Sequence, residues 1–575
     1  MIVHYGDDAA SLSFSVPVSP NSYIMFWKNI NSGSVLIESD GHTNQLDLKS
    51  GVEGGELMKV YPFQNSILPV MVRVVVYFVL CALAFAVLIM TYIQLAYRKR
   101  HMSFLCSDAK WFYIFPIWIA LYIFAVMQYK AGIPNFLEFG DQVYYWRESL
   151  LHAGSWSTEY LAQALLSFRG YLCNFFPTVA QVAGQYIHVD PVHIYFIFTS
   201  GAIAWLVTFV LPGLYKLLTG KTATLHQVTM SLLIYLFFWN GTLTAVLADL
   251  FGATAFLSGI LFAFRLAKER KIRFACLTGF FWAAACNFRT AYQYGIYVLL
   301  AFALLWGLIM MVRRRKANKT YGENEGKKVY VNALACVAAT VSVFLLVSIP
   351  QLQINMSRGH AGFLPYDYAG AWPIATPTQS LLEWSANHSL DTAYTGYPYM
   401  VSDAQMLTME REAGYQETAG ALTIQQILEV YANSPLDSLT YVIKKMFLAF
   451  DAKTSVSYPE GVHWRESSGF VYSLLNYFVL GSALYVLFCG KSVKKGERML
   501  AGLLFVGLVL PQMFVHVEWR YFLASYILLY FFFVYHFVGE LSAILAKEQT
   551  EGLGYLPYIC IVLCAAFTIS LTIHA

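Results

Sequence analysis

Twelve stretches of the chain are apolar for close to 20 residues each, the length an α-helix needs to cross the hydrocarbon core of a bilayer. They centre on 68–96, 111–129, 192–215, 224–240, 244–264, 274–288, 291–312, 329–350, 467–489, 499–515, 521–541 and 554–573. Backbone N–H and C=O groups find no water in lipid, so segments of this length must satisfy them internally, as helices. The expected fold is an all-α polytopic membrane protein with about 12 transmembrane helices. A further run, 170–187, is interrupted by Asn174, Pro177, Gln181 and Gln185 and reads as re-entrant or interfacial. Composition agrees: 58% of residues are hydrophobic and 13% are charged, against about 25% charged in soluble domains. An ordinary cytosolic enzyme and a disordered chain are both excluded. The net charge of +4 is small for 575 residues. With the basic residues confined to short clusters, nucleic acid is not an expected partner.

Those clusters orient the helices. Twenty-two of the 38 Lys and Arg residues fall in six short loops. They are Arg98 to Arg100; Lys216 and Lys221; Arg265 to Arg273; Arg313 to Lys328; Lys491 to Arg498; and Lys547. These loops alternate correctly with the apolar runs, so the positive-inside rule makes them cytoplasmic. The rest of the polar chain is then outside: 1–67, 130–170, 351–466 and the short turn around Glu518, with both termini also outside. The expected location is the plasma (inner) membrane, with many passes.

Four regions follow. Residues 1–67 are expected to form a β-rich extracytoplasmic segment, because they alternate apolar and polar at Ser11 to Val16 and carry the turn signal Asp40-Gly41. No signal peptide precedes this acidic stretch, so either it crosses unaided or an export segment lies upstream. Residues 68–350 form an N-terminal transmembrane core with its first outer loop at 130–170. Residues 351–466 form a mixed outer loop domain rich in Tyr, Pro and Gly. Within it, Leu436 to Phe450 puts Leu439, Val442, Ile443, Met446 and Phe447 on one face and Lys444 and Lys445 on the other, the pattern of a helix lying on the bilayer. Residues 467–575 carry the last transmembrane helices. The nine cysteines lie mostly in apolar runs and follow neither a disulfide framework nor metal-type spacing.

A charge at bilayer depth costs about 2.5–3.5 kcal/mol on insertion scales, so each one needs a partner or a role. In Glu138-Phe139-Gly140-Asp141-Gln142-Val143-Tyr144-Tyr145-Trp146, Asp141 stands at the outer mouth of a span. It suits either a general base acting on a hydroxyl or a helix cap beside an interfacial aromatic belt. His516-Val517-Glu518-Trp519-Arg520-Tyr521 puts three ionisable groups in one tight turn. Arg520 there suits bidentate phosphate binding with Glu518 orienting it, or a Glu–Arg pair that closes the turn. Arg289, after Asn287 and Phe288 at the outer end of the sixth span, suits a functional role or snorkelling to the interface. Asp249 suits a buried role or helix capping. Lys444 and Lys445 suit a solvated face touching headgroups, or a grip on a lipid phosphate. His188 and His193, five apart and separated by Pro191, do not make a metal pair. No Walker A, dinucleotide, GxSxG or HExxH motif occurs.

In this order and on one side of the membrane, these features resemble the GT-C superfamily of membrane glycosyltransferases. That group includes the protein O-mannosyltransferases, the aminoarabinose transferases of lipid A and many bacterial envelope enzymes. The resemblance covers most of 68–573 and rests on five matches. They are Asp141 with Tyr144 and Tyr145 in the first outer loop; Leu247-Ala248-Asp249; Asn287-Phe288-Arg289 ending a Gly- and Ala-rich span; Asn433-Ser434-Pro435-Leu436 before an amphipathic helix; and His516 to Phe522 between two late spans.

The resemblance implies transfer of a sugar from a polyprenyl-phosphate donor to a hydroxyl of an envelope polymer, lipid or protein at the outer face, with inversion. Asp141 would be the catalytic base. Arg289, Arg520, His516, Glu518, Tyr144, Tyr145 and Asp249 would hold the donor's phosphate and sugar. Loop 351–440 would cover the site, and 436–450 would lie beside the donor's path from the membrane. No cofactor is implied with certainty and no metal ligand is assigned. Gln142 stands where many relatives carry a second acid, which weakens the case for a divalent metal. Arg289 is followed by Thr290 and Ala291 rather than the family's usual Pro, and 521–526 also lacks a Pro often found there. Two other functions compete: a transporter or flippase of a lipid-linked saccharide, and a non-catalytic scaffold. Clustering of ionisable residues at the outer face favours the enzyme over a transporter, whose charges should sit near mid-membrane.

Overall fold

The computed structural model describes residues 24–28, 34–39, 42–47, 56–60, 108, 111–130, 170–317, 323–357, 359, 361–365, 424–452, 466–514, 519–538 and 564–567, with single positions within 72–87, 142–149 and 409–414. Near the N-terminus, β1 (Ile24–Lys28) pairs antiparallel with β4 (Glu56–Val60). Between them, β2 (Ser34–Ser39) pairs with β3 (His42–Asp47). Ser39 faces His42 in that ladder, so only Asp40 and Gly41 link the two strands, a favoured hairpin dipeptide.

The rest of the described chain is helical. The helices are α1 (Ile114–Lys130), α2 (Phe175–Ile187), α3 (Pro191–Thr219), α4 (Leu225–Trp239), α5 (Asp249–Glu269), α6 (Ile272–Phe288), α7 (Tyr292–Ala317) and α8 (Glu323–Val347). They continue with α9 (Ile349–Ser357), α10 (Ile424–Asn433), α11 (Pro435–Ala449), α12 (Glu466–Cys489), α13 (Lys495–Leu504) and α14 (Leu523–Phe532). A 3-10 turn, Trp519–Phe522, leads into α14. The starts of α3 and α4 are written in the sequence. Asp190 accepts from Val192 N at 3.0 Å with Pro191 in the first turn, and Thr224 and Gln227 form a reciprocal capping box.

Among the described residues, four helices are long and apolar enough to cross a membrane: Pro191–Thr219, Asp249–Glu269, Val471–Cys489 and Trp519–Phe537. Counting the pair Ala333–Val347 and Ile349–Ser357, bent by 49°, as one span makes five. Some other apolar runs give shorter helices. The run 224–240 becomes the 15-residue α4, about 22 Å long, because Asn240 and Gly241 turn the chain into a 3-10 segment. The run 499–515 is divided among α13, a π turn and the 3-10 turn Leu510–Phe514, which holds Pro511. Much of the last run, 554–573, lies outside the described residues.

Helix α5 is central. It packs along α6 and also touches α3 and α14, while α6 packs on α8 and α14 on α12. The α6–α8 contact depends on Gly279: a Cβ there would collide with the carbonyl of Thr340.

The two ends of this bundle differ. At one end the basic loops meet. Lys494 Nζ donates to the carbonyls of Leu218 and Thr219 at 3.1 and 3.3 Å, and Thr222 Oγ1 donates to Asp108 at 2.8 Å. Helix α5, 21 residues long, delivers Lys268 to its basic end and Asp249 to its other end, roughly 30 Å away.

Candidate functional site

Asp249 opens α5, but it does not cap it: Ala248 holds the cap position, with no side-chain cap bond. Its carboxylate turns inward to Arg289 instead. Arg289 Nε lies 2.7 Å from Asp249 Oδ1, with the two side chains 9% and 5% exposed. The N–H does not point straight at that oxygen, so the contact is a close ion pair rather than a linear hydrogen bond. Burial also excludes snorkelling of Arg289 to the interface. In this low-dielectric setting each charge is tolerated because the other is present.

The local sequence explains how the pair is set. Helix α6 stops at Phe288, and Arg289 adopts an extended conformation (φ −150°, ψ 120°) before α7 begins. Asn287 ties this helix end to its own turn and to α8, donating to Ala283 O at 2.9 Å and to Ser348 Oγ at 3.3 Å. Gly170 lies against the Asn287 backbone so closely that a Cβ would collide. On the Asp249 side, the link 240–248 is pinned by three hydroxyls. Thr199 donates to Leu243 O at 2.7 Å, Tyr195 to Ala245 O at 3.2 Å, and Tyr235 shares a 2.7 Å bond with Thr242. Phe251 and Phe288, next to the pair in the chain, are buried and stack on each other with centroids 5.7 Å apart.

The 519–522 turn completes the cluster. Trp519 packs tilted against Trp239, ring centroids 4.1 Å apart, and Trp239 Nε1 donates to Tyr530 at 3.0 Å. These contacts fix the turn over the α4–α5 link. Tyr521 then presents its ring to two guanidinium groups, with Arg289 Cζ 4.1 Å and Arg520 Cζ 5.4 Å from its centroid. Arg520 is only 3% exposed. Arg289, Arg520 and Asp249, separated by up to 271 positions in the chain, thus share one aromatic platform.

The first outer loop reaches the same region through Trp146, whose ring meets Tyr195 edge-on at 6.1 Å. Tyr145 and Gln142 are buried beside it in the chain. Asp141, Tyr144, His516 and Glu518 lie outside the described residues. Among the described residues, no group of three or more His, Cys, Asp or Glu gathers in metal-binding range. His193, by contrast, shares a 3.3 Å hydrogen bond with Tyr122.

Tyr521 was not among the residues assigned to the site from sequence; its place between Arg520 and an apolar run was the only signal. Of the lysine pair on α11, Lys445 is 3% exposed and stands over the Tyr441 ring at 4.6 Å, so it does not belong to a solvated face. The expected apolar face of this helix is correspondingly split, with Leu439 and Ile443 exposed.

A buried cluster of cations on an aromatic ring, with one neutralised by a carboxylate, is suited to binding an anion of phosphate type. No family model matches the chain, and neither a curated protein nor a solved structure matches it.

Proposed function

We propose that the chain is a membrane glycosyltransferase of the GT-C kind, moving a sugar from a polyprenyl phosphate to a hydroxyl of an envelope polymer, lipid or protein. The observation that carries this reading is the enclosure of Arg289 and Arg520 on the Tyr521 ring, at the bundle end opposite the basic loops. In this reading about 12 helices cross the plasma membrane, both termini and the site face outside, and 1–67 is a β-rich outer segment. Loop 351–440 covers the site.

Asp141 takes the proton of the acceptor hydroxyl. That oxygen attacks the anomeric carbon from the face opposite the lipid phosphate. The new C–O bond forms as the bond to the phosphate oxygen breaks, and configuration inverts. The leaving group is an anion, so the protein's work is positioning and charge stabilisation. Arg520 and Arg289 receive the phosphate, with His516 and Glu518 near phosphate or sugar. Tyr144 and Tyr145 belong to the donor site, and Asp249 holds Arg289 in place.

The test is mass spectrometry of envelope glycans from wild type, a deletion strain and Asp141→Asn at normal expression. A sugar missing equally from the last two supports the enzyme; removing a general base costs ~10²–10⁴-fold in rate. Full transfer by Asp141→Asn refutes the mechanism. The bent pair Ala333–Val347 and Ile349–Ser357 gives some support to a flippase of a lipid-linked saccharide, since broken helices are a transporter feature. That reading predicts a sugar lost on deletion but retained in Asp141→Asn.

A further inference from the structure

We propose that Arg265 on α5 holds the phosphate of an anionic phospholipid in the membrane leaflet at the basic end of the bundle. The site lies at the opposite end of α5 from the Asp249–Arg289 pair, and it does not depend on the transferase reading. Helix α5 has the length and apolarity of a span. Arg265 comes four positions before its last residue, Glu269, or about 6 Å along the axis. That depth is the border between hydrocarbon and headgroups.

Three helices bring a ring to this guanidinium. Arg265 Cζ lies 5.4 Å from the centroid of Phe209 on α3, 5.9 Å from Phe262 on α5 and 5.7 Å from Phe274 on α6. Contacts other than those with the arginine hold the rings. Phe209 lies in a π turn, Leu206–Val210, a feature frequent at functional sites. It stacks on Trp205 at 4.2 Å, and Trp205 Nε1 donates to Ser258 at 3.1 Å. Phe262 stacks on Phe274 at 6.3 Å and on Phe281 at 5.4 Å.

The rings attract the charge but accept none of its five N–H donors in the guanidinium plane. Among the described residues, Arg265 has neither a hydrogen bond nor an ion pair. Glu269, one turn further on, is engaged by Lys271 at 2.9 Å and Arg273 at 4.0 Å. Arg265 is partly exposed, so its donors are open to a ligand from outside the protein. Residues 265–273 hold five bases and one acid, which selects an anion. A phosphodiester headgroup is already at this depth and offers two non-bridging oxygens that match the planar fork of an arginine. Basic pockets between helices bind lipid headgroups in this way. Phosphatidylglycerol fits better than phosphatidylcholine, whose choline brings a cation to a surface where Lys268 and Arg270 are exposed.

The experiment is native mass spectrometry of the full-length protein, titrated in detergent with phosphatidylglycerol or phosphatidylcholine, with and without inorganic phosphate. The variants are Arg265→Met, Arg265→Lys and Lys491→Gln, an exposed charge in another loop of the same end. Methionine keeps an apolar stem over the rings, and melting curves report folding. Wild type should retain phosphatidylglycerol in preference to phosphatidylcholine, and inorganic phosphate should not displace it. Arg265→Met should weaken phosphatidylglycerol roughly 10- to 100-fold, the range of one hydrogen bond between charged groups. Arg265→Lys keeps the charge but loses the fork, and should still bind at least about fivefold more weakly than wild type. Lys491→Gln should cost no more than about fivefold, the effect of one surface charge near anionic lipid. A loss in Arg265→Met no greater than in Lys491→Gln, or wild-type binding by Arg265→Lys, means that the basic end attracts lipid only diffusely and overturns the proposal. Displacement by inorganic phosphate overturns the assignment to lipid. Equal retention of the two lipids by wild type overturns the proposal without recourse to any variant.

Discussion

Replacing Asp249 tests the central contact of the site. Its carboxylate is 2.7 Å from Arg289 Nε, and both side chains are at least nine-tenths buried. At that distance, with an effective dielectric of ~20, the gross attraction is about 6 kcal/mol. Much of it offsets the desolvation of the two charges, so the net worth of the pair is small while the loss of one partner is costly. Asp249→Asn leaves the Arg289 guanidinium enclosed with no countercharge from α5, and should destabilise the protein by ~3–5 kcal/mol. Arg289→Met should cost a similar amount by stranding Asp249. The double variant Asp249→Asn, Arg289→Met should be more stable than the sum of the single losses predicts, by ~0.5–3 kcal/mol or more. The assay is denaturant unfolding in mixed micelles, following the four variants as a cycle. The reasoning fails if each single change costs under ~1 kcal/mol and the two add.

Two further changes probe the platform and its approach. Tyr521→Leu removes the ring beneath both Arg289 and Arg520. With cation–π contacts worth ~0.5–2 kcal/mol each, farnesyl phosphate affinity should fall at least severalfold, while Tyr521→Phe should retain it. Gly170→Ala forces a methyl group into the backbone of Asn287 and should cost about 1–3 kcal/mol by overpacking. Gly496→Ala meets nothing within 4 Å and should be neutral or slightly stabilising by thermal melting, as expected for that substitution in a helix.

Helical character was legible because length and apolarity alone demand it: α3 and α5 fall on the runs 192–215 and 244–264. Helix ends were legible where a capping residue is chemically explicit, as at Asp190 and Thr224. They were not legible where tertiary packing decides them. Asp249 has the residue type of a cap, yet an arginine 40 positions later draws it inward. Lys444 and Lys445 look equivalent on a helical projection, but the projection lacks the neighbour. Once α11 lies against Trp519–Phe522, a rotation that buries Tyr441 also buries Lys445. Arg289 and Arg520 could be nominated from sequence because a charge next to an apolar run needs a reason. Tyr521 could not, since a tyrosine there is ordinary in an interfacial belt.

Among the described residues a second buried acid–base contact stands at the other end of the bundle, and comparing the two distinguishes the candidate site. At the basic end, His536 Nε2 lies 3.2 Å from Glu497 Oε1, with both side chains 1% exposed. Every other polar contact described for this pair holds the local chain. Glu497 Oε2 accepts from the Lys494 backbone at 2.6 Å, capping α13. His536 Nδ1 shares a 3.2 Å bond with Ser492 in the preceding loop, and Lys494 in turn caps the end of α3. The pair is therefore accounted for as a fastener of loop 490–498. The Asp249–Arg289 pair differs because its cation also reaches outward. Arg289 Nε pairs with Asp249 while its Cζ lies 4.1 Å from the Tyr521 ring centroid, and Arg520 Cζ lies 5.4 Å from the same centroid. A purely structural pair gains nothing from a second arginine on the same ring, since like charges in low dielectric repel. Under the proposed function, an incoming phosphate would reverse the sign of that interaction, and the cost of holding the two cations together would become binding free energy.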